Sequence, residues 1–376
     1  MRTKSPAVLV ATRNSLKESG GGVQRCTGDY LSLLRSDFEL HIVDFNTDHR
    51  WRTRIANRVF GNGYRRQVPP TLAPRIEQVI ERTGSDVVLF NLLDFPNEAQ
   101  RLRSRFVNKV RLVHLSHGLA STDIAIAQRE RRAASVAVDH LNRAMAAELG
   151  SRLQFEMDYR QHVDLSICLS PLDAELERWL GARRTCWFPR AIREAALELQ
   201  PIDGRIGCVA TLDHPPNRSG LETFCAALQQ FQTNGVTLRL VGSPEKIGRQ
   251  LNNRFGFVQF LGALSDEDLR AEAATWCCFV HPLFSYARGC SMKIGVALGW
   301  GLPIVTTSAG SRGYIWDEHV APLATDATVL AAMTIERSRA ENFAQHVEQT
   351  RRVAAMQPKL DELATSVVAA IRTAAE

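Results

Sequence analysis

The chain has 376 residues, 45% of them apolar, and a net charge of +6. That length suits two ordinary domains, and that apolar share excludes a tail-like disordered protein. Apolar runs stop after about 5–8 residues where a membrane helix needs roughly 18, so no transmembrane span is expected.

AVLVAT (7–12) opens an alternation of short apolar runs and helix-like segments. ELHIVDF (39–45), DVVLFNLL (86–93), VRLVHLS (110–116) and DLSICLS (164–170) continue it. TLAPRIEQVIERTG (71–84) and PLDAELERWLG (171–181) read as helices, the second with Pro171 in its first turn and Gly181 as its stop. FPRAIREAALELQPIDG (188–204) reads as a linker, after which the rhythm restarts. RIGCVATL (205–212), VTLRLVG (236–242), FVQFLG (257–262), WCCFVHP (276–282) and LPIVTT (302–307) form the second series. RSGLETFCAALQQFQ (218–232) is its first helix, with Asn217 as the expected cap. Residues 326–376 are Ala-rich and helical, broken at Pro358.

Strands alternating with helices predict parallel sheets covered on both faces. The expected architecture is α/β. Two Rossmann-like doubly wound domains, residues 1–195 and 196–357, face a cleft, and a last helix in 358–376 can pack back on the first domain. Ligands in such sheets bind outside the carboxyl ends of the strands, so residues just after strands carry the site.

After the first strand, Gly20, Gly21 and Gly22 precede a helix, where backbone amides can approach an anion. The run is neither G-x-G-x-x-G nor a Walker loop, and it also reads as a surface loop. His117 directly follows VRLVHLS and is expected at the cleft mouth, where it can orient a hydroxyl or carry a proton. His114, inside that strand, is expected to be buried and satisfied, and Asp94 is a weaker candidate of the same kind as His117. In DHPPNRSG (213–220), Arg218 sits in a helix first turn, where a cation opposes the helix dipole unless an anion binds. The stretch LFSYARGCSMKIG (283–295) repeats that misfit. Ser291 can cap the helix, Lys293 lies in its first turn, Gly289 permits close approach and Arg288 adds charge. Lysine as a point charge beside free amides suits a diphosphate.

Residues 1–66 hold 12 Lys/Arg against 6 Asp/Glu, and the remainder is balanced. Much of the excess lies in HRWRTRIANRVFGNGYRRQ (49–67), where Arg50, Arg52, Arg54 and Arg58 interleave with Trp51 and other apolar residues. Such a stretch can meet anionic headgroups or a lipid-linked acceptor, or form a solvated helix face. No recognition motif accompanies it, so nucleic acid is not an expected partner. Eight cysteines without a C-x-x-C, and no histidine pair at ligand spacing, point to reduced thiols in a cytoplasmic protein with no metal site.

The order of strand, "HP", glycine loop, K-I, small-residue helix, GLPIVTT and an AG-x-x-G loop resembles the donor half of GT-B glycosyltransferases. It is closest to the large, mostly retaining group that uses nucleotide sugars. VATLDHPPNRSGLETF, GGGVQR and DLSICLSPLDAELERWLG resemble other segments of that group. The resemblance implies a nucleoside diphosphate sugar as donor, a glycan or lipid-linked acceptor, no cofactor and no metal. It implies that Lys293 contacts the donor diphosphate, that Arg218 has a similar duty, and that Gly21 and Gly22 face the donor phosphate. His117 falls near the histidine that approaches the transferred sugar, and Gly310, Ser311 and Gly313 match the loop near the nucleotide. The group commonly carries a carboxylate pair whose second member, in K-I-x-E-A, binds the donor ribose. Here KIGVA places Val296 at that position, and Arg288 stands where the first carboxylate belongs. A ribose hydroxyl left unpaired costs on the order of 1–3 kcal/mol. An active transferase and an inactive GT-B partner or sugar-nucleotide-binding subunit are therefore both open, with a GT-B epimerase as a third reading.

Overall fold

The computed structural model describes residues 4–18, 21–47, 68–107, 109–134, 139–231, 235–286 and 288–374, and, of residues 130–134 and 139–142, the backbone alone. The chain divides into two units. One comprises Met1–Ala125, Ser135–Phe188 and Lys359–Glu376, and the other Ile126–Ala134 and Pro189–Pro358.

The first unit is built on β1 (Ser5–Thr12), β2 (Phe38–Phe45), β3 (Val87–Asn91), β4 (Arg111–Leu115), β5 (Leu165–Cys168) and β6 (Thr185–Trp187). They lie in the order β2-β1-β3-β4-β5-β6, and every pairing is parallel. Short β6 was not expected, because TCW has no apolar run to announce it. Val8, Val10, Val88, Phe90 and Leu112 from the sheet meet Ile76, Ile80, Phe95, Leu102 and Tyr159 in one core. Burial on both faces is why these strands read as unbroken apolar runs. Ser170 Oγ accepts from the Asp173 amide at 3.0 Å, capping the helix Pro171–Trp179. The last helix, Leu360–Thr373, packs on this unit, and its Arg372 carbonyl accepts from Arg111 Nη1 at 2.7 Å.

Beneath this sheet lies a buried ion network. Arg160 donates to Glu177 from Nε at 2.7 Å and Nη2 at 2.8 Å, and also reaches Asp94. Arg152 bridges Asp94 and Glu156. Buried charges persist only when paired and hydrogen-bonded, and here each carboxylate faces a guanidinium. Burial pushes Asp94 up, but Arg160 and Arg152 together hold it at about 2. Asp94 is thus committed to the fold. His114 is buried as expected but makes no hydrogen bond among the described residues, its Nδ1 lying 3.9 Å from Glu177. Burial, with Arg160 nearby, holds it at about 4.

The second unit is built on β7 (Arg205–Thr211), β8 (Thr237–Ser243), β9 (Val258–Gly262), β10 (Cys278–His281) and β11 (Ile304–Thr306), in the order β11-β10-β7-β8-β9, all parallel. Its first helix begins at Pro215, not at Arg218. Pro215 and Pro216 take the first two helical positions, where an amide has no partner to lose. Asn217 is therefore inside the helix rather than its cap, and its Nδ2 donates back to the Thr211 carbonyl at 3.1 Å. No helix among the described residues is long and apolar enough to cross a membrane.

Candidate functional site

Strand order reverses at the β10/β7 boundary of the second unit and at the β1/β3 boundary of the first. In open parallel sheets such switch points leave crevices at the carboxyl ends of the strands. Chemistry-bearing residues gather at both.

In the second unit, the segments after β7 and β10 are locked together by Gly220. A Cβ there would lie 1.9 Å from the Pro282 carbonyl oxygen. β10 ends in His281, and the chain then enters the helix Met292–Trp300. Ser291 holds the cap position, but its side chain accepts no amide. Instead the Tyr314 hydroxyl donates to the Ser291 carbonyl at 2.7 Å and accepts from the Gly295 amide at 2.9 Å. A tyrosine hydroxyl thus stands where the first intrahelical bond belongs. The three amides before it, of Met292, Lys293 and Ile294, belong to the set that a helix start leaves without intrahelical partners.

Lys293 is half-buried and has no hydrogen-bond or ion-pair partner among the described residues. Burial pushes its ammonium below the ordinary lysine value. His281 is 4% exposed, and its Nε2 makes no hydrogen bond among the described residues. Burial, then the positive charges of Lys293 and Arg312, push it well below the ordinary histidine value, so it stays neutral. Arg312 ties the neighbouring loops together. Its Nε donates to the Gly289 carbonyl at 2.7 Å, its Nη2 to the Arg288 carbonyl at 3.3 Å, and its Nη1 to the Ala309 carbonyl. Buried Arg190 places Nη2 3.0 Å from Met292 Sδ, and its amide donates to the Gly313 carbonyl at 3.1 Å. Cations and helix amides concentrate here, an arrangement that suits an anion. Arg312, Arg190 and Tyr314 were not legible as site residues. They act across separations of 19 to 102 residues, which no local spacing marks.

The remaining expected residues fall as follows. Arg218 is exposed and paired with Glu222 at 3.0 Å, one helical turn on. Arg288 is half-buried and Gly289 buried with φ +66°. Gly310 is a packing position, where a Cβ would lie 2.1 Å from Thr306 Oγ1 and 3.1 Å from the His281 ring. Ser311 is buried, as is Gly313, which has φ +91°. Val296, three residues after Lys293, is half-buried on the same helix face.

In the first unit, Gly21 and Gly22 are exposed at the start of the helix Gly22–Leu34. His117 is 5% exposed and places Nε2 3.0 Å from Asn91 Oδ1. Asn91 Nδ2 donates to Thr27 Oγ1 at 3.1 Å and Ser15 Oγ at 3.3 Å. The Tyr30 ring lies 5.8 Å from the His117 ring. Asn91 ends β3, so its place at a strand terminus was the available signal. Arg50, Trp51, Arg52, Arg54 and Arg58 lie outside the described residues. Among the described residues, no three His, Cys, Asp or Glu side chains gather so as to hold a metal ion.

Residues 203–363 match the family model described as Glycosyl transferases group 1. A sequence search of curated proteins finds no significant match. Among solved structures, sucrose-phosphate synthase from Thermosynechococcus elongatus is similar with a TM-score of 0.65 at 18% identity, covering 98% of each chain. HepE of Anabaena, in complex with UDP and glucose, gives 0.60 at 13% identity over 97% of this chain and 99% of that one. TarM gives 0.57 at 11% identity over 80% of this chain, which spans 57% of that longer protein. The chain thus has the GT-B glycosyltransferase fold of two Rossmann-like domains, and residues 203–363, within its second sheet domain, are similar to the glycosyl transferases group 1 model.

Proposed function

We propose that the protein moves a sugar from a nucleoside diphosphate sugar to a glycan or lipid-linked acceptor, in bacterial-type polysaccharide or glycoconjugate synthesis. The observation that carries this reading is Lys293, a half-buried ammonium with no ion-pair partner among the described residues, at the start of the helix after β10. The second unit holds the donor, with its diphosphate against Lys293 and the helix amides. As the bond from the anomeric carbon to the diphosphate oxygen breaks, charge grows on the leaving group, and these groups stabilise it without rearranging. The acceptor hydroxyl oxygen forms the new bond to the anomeric carbon, and its proton passes to the departing diphosphate. The first unit presents the acceptor, with His117 taking a substrate hydroxyl, and Arg218 and Arg288 add charge near the donor. The arginine-rich stretch containing Arg50 to Arg58 holds the enzyme at an anionic membrane face. In support, HepE is recorded with UDP and glucose bound. Thermal stabilisation by a panel of nucleotide sugars tests the reading, because a ligand that binds only the folded state raises the melting point. No shift with any of them refutes it. Val296, an apolar side chain one turn from Lys293, favours a second reading, a non-catalytic sugar-nucleotide-binding subunit. Binding without transfer to any acceptor selects that one.

A further inference from the structure

His281 closes β10, and the strand carries its ring to the start of the helix Met292–Trp300. Phe279, two residues earlier and so on the same face of the strand, packs in one core with Ile294 and Ala297 of that helix. The Phe279 and His281 rings lie 11° from parallel, with centroids 6.1 Å apart. Gly310 flanks the imidazole, and a Cβ on that glycine would come within 3.1 Å of it. The Nε2 atom is sealed from water and makes no hydrogen bond among the described residues. An apolar side chain would fill that place without leaving a nitrogen unpaired, and such a group in a native fold calls for an explanation.

The surrounding charges supply one. Among the described residues, those that bear on His281 are Lys293, on the helix, and Arg312, after Ser308–Ser311, both positive. Neighbouring β11 brings only Ile304, Val305 and Thr306, and Arg205, the one charged residue of β7, begins that strand at its far end. His114 is likewise buried without a hydrogen bond among the described residues, yet it has Asp94 and Glu177 beside it. The partner that His281 lacks is an anion. The other helix start at this switch point, that of Pro215–Gln229, cannot take the anion instead. Pro215 and Pro216 have no N–H, and the next two amides, of Asn217 and Arg218, both donate to the His214 carbonyl at 3.0 Å. The place for an anion is therefore beside Lys293, above His281.

We propose that anion binding at this helix start is coupled to uptake of one proton by His281, so that the site takes its diphosphate and a proton together. This rests on the sugar-transfer reading for the diphosphate, though not for the coupling. His281 is a positioning residue that does not touch the ligand; its imidazolium lies beneath it as a counter-charge. Without the anion, burial and the two cations keep the ring neutral. A divalent anion offsets both cations, and a unit charge a few ångström away moves a titrating group by on the order of two pH units. By linkage, the anion then binds more tightly as pH falls.

Ring NMR on histidine-labelled full-length protein tests the coupling with sulfate, a divalent tetrahedral anion that does not itself titrate between about pH 5 and pH 8. Sodium chloride at equal ionic strength is the control. His281 is expected to stay neutral over that range in chloride and to take up a proton within it in sulfate. A ring that stays neutral in sulfate, or that titrates alike in both salts, overturns the proposal. His281→Asn keeps a polar side chain and removes the titrating group. In calorimetry with UDP-glucose, whose esterified phosphates do not titrate in this range, wild-type affinity is expected to rise roughly three- to tenfold from about pH 8 to about pH 6 and that of the variant to stay level. The same pH dependence in both proteins overturns the coupling. If no nucleotide sugar binds at either pH, the proposed function fails, while the sulfate measurement still decides the coupling.

Discussion

Lys293→Met is expected to make the free protein more stable and a diphosphate ligand weaker at once. Burial holds the Lys293 pKa below its ordinary value. The unfolded chain therefore binds that proton more tightly than the folded one, and stability rises as pH climbs through the folded pKa. The positive charge is thus a net cost to the ligand-free fold. Methionine keeps most of the stem and removes the charge. A gain of about 1 kcal/mol would raise the midpoint of the second unit by roughly 2–4 °C. Against this, a hydrogen bond from a charged donor contributes about 1.5–3 kcal/mol. Its loss weakens a nucleoside diphosphate roughly 10- to 150-fold. Calorimetric titration with a nucleoside diphosphate and the matching monophosphate locates the loss, which should fall mainly on the diphosphate. An unchanged diphosphate affinity with a lowered midpoint would show that Lys293 serves packing, and the anion-binding argument would fail.

Gly220→Ala brings a methyl within 1.9 Å of the Pro282 carbonyl oxygen. It should lower stability by about 1–3 kcal/mol, as overpacking does, and weaken nucleotide binding because both ligand-bearing segments shift. Denaturant titration and calorimetry check both, and an unaffected Kd would separate the segments from the site. His114, at about 4 in the fold against an ordinary 6.5, makes the unfolded chain take up the proton first. Stability should therefore fall by on the order of 3 kcal/mol between pH 6.5 and pH 4. Asp94, held at about 2 against an ordinary 3.8, adds stability above pH 3.8 that is lost below it. Flat stability between pH 6.5 and pH 4 in urea melts contradicts the His114 part. Neutralising Arg50, Arg52, Arg54 and Arg58 together should abolish co-sedimentation with anionic vesicles while leaving nucleotide binding intact. Unchanged vesicle binding assigns the stretch another purpose.

The parallel sheets were legible because strands covered on both faces must be apolar throughout, and AVLVAT, DVVLFNLL and RIGCVATL carry that mark without ambiguity. Three-residue β6 carries no such mark. The Lys293 turn was visible as a charge in the wrong end of a helix, a local conflict that the sequence displays. What the sequence hides are contacts made over long separations. Nothing near Arg312 announces that its guanidinium binds the carbonyls of Arg288 and Gly289, 24 and 23 residues earlier. Asn91 closes β3 and Asp94 follows three positions later, and chemistry alone favoured the carboxylate. The buried guanidiniums of Arg152 and Arg160 decided otherwise.

The Tyr314 hydroxyl, spliced into the opening rung of the helix at Ser291 and Gly295, has a kinetic meaning as well as a geometric one. The amides ahead of it stand at a helix start, without intrahelical partners, in the ligand-free fold. If the proposed diphosphate binds there, that arrangement is set during folding and binding requires no unwinding of the helix.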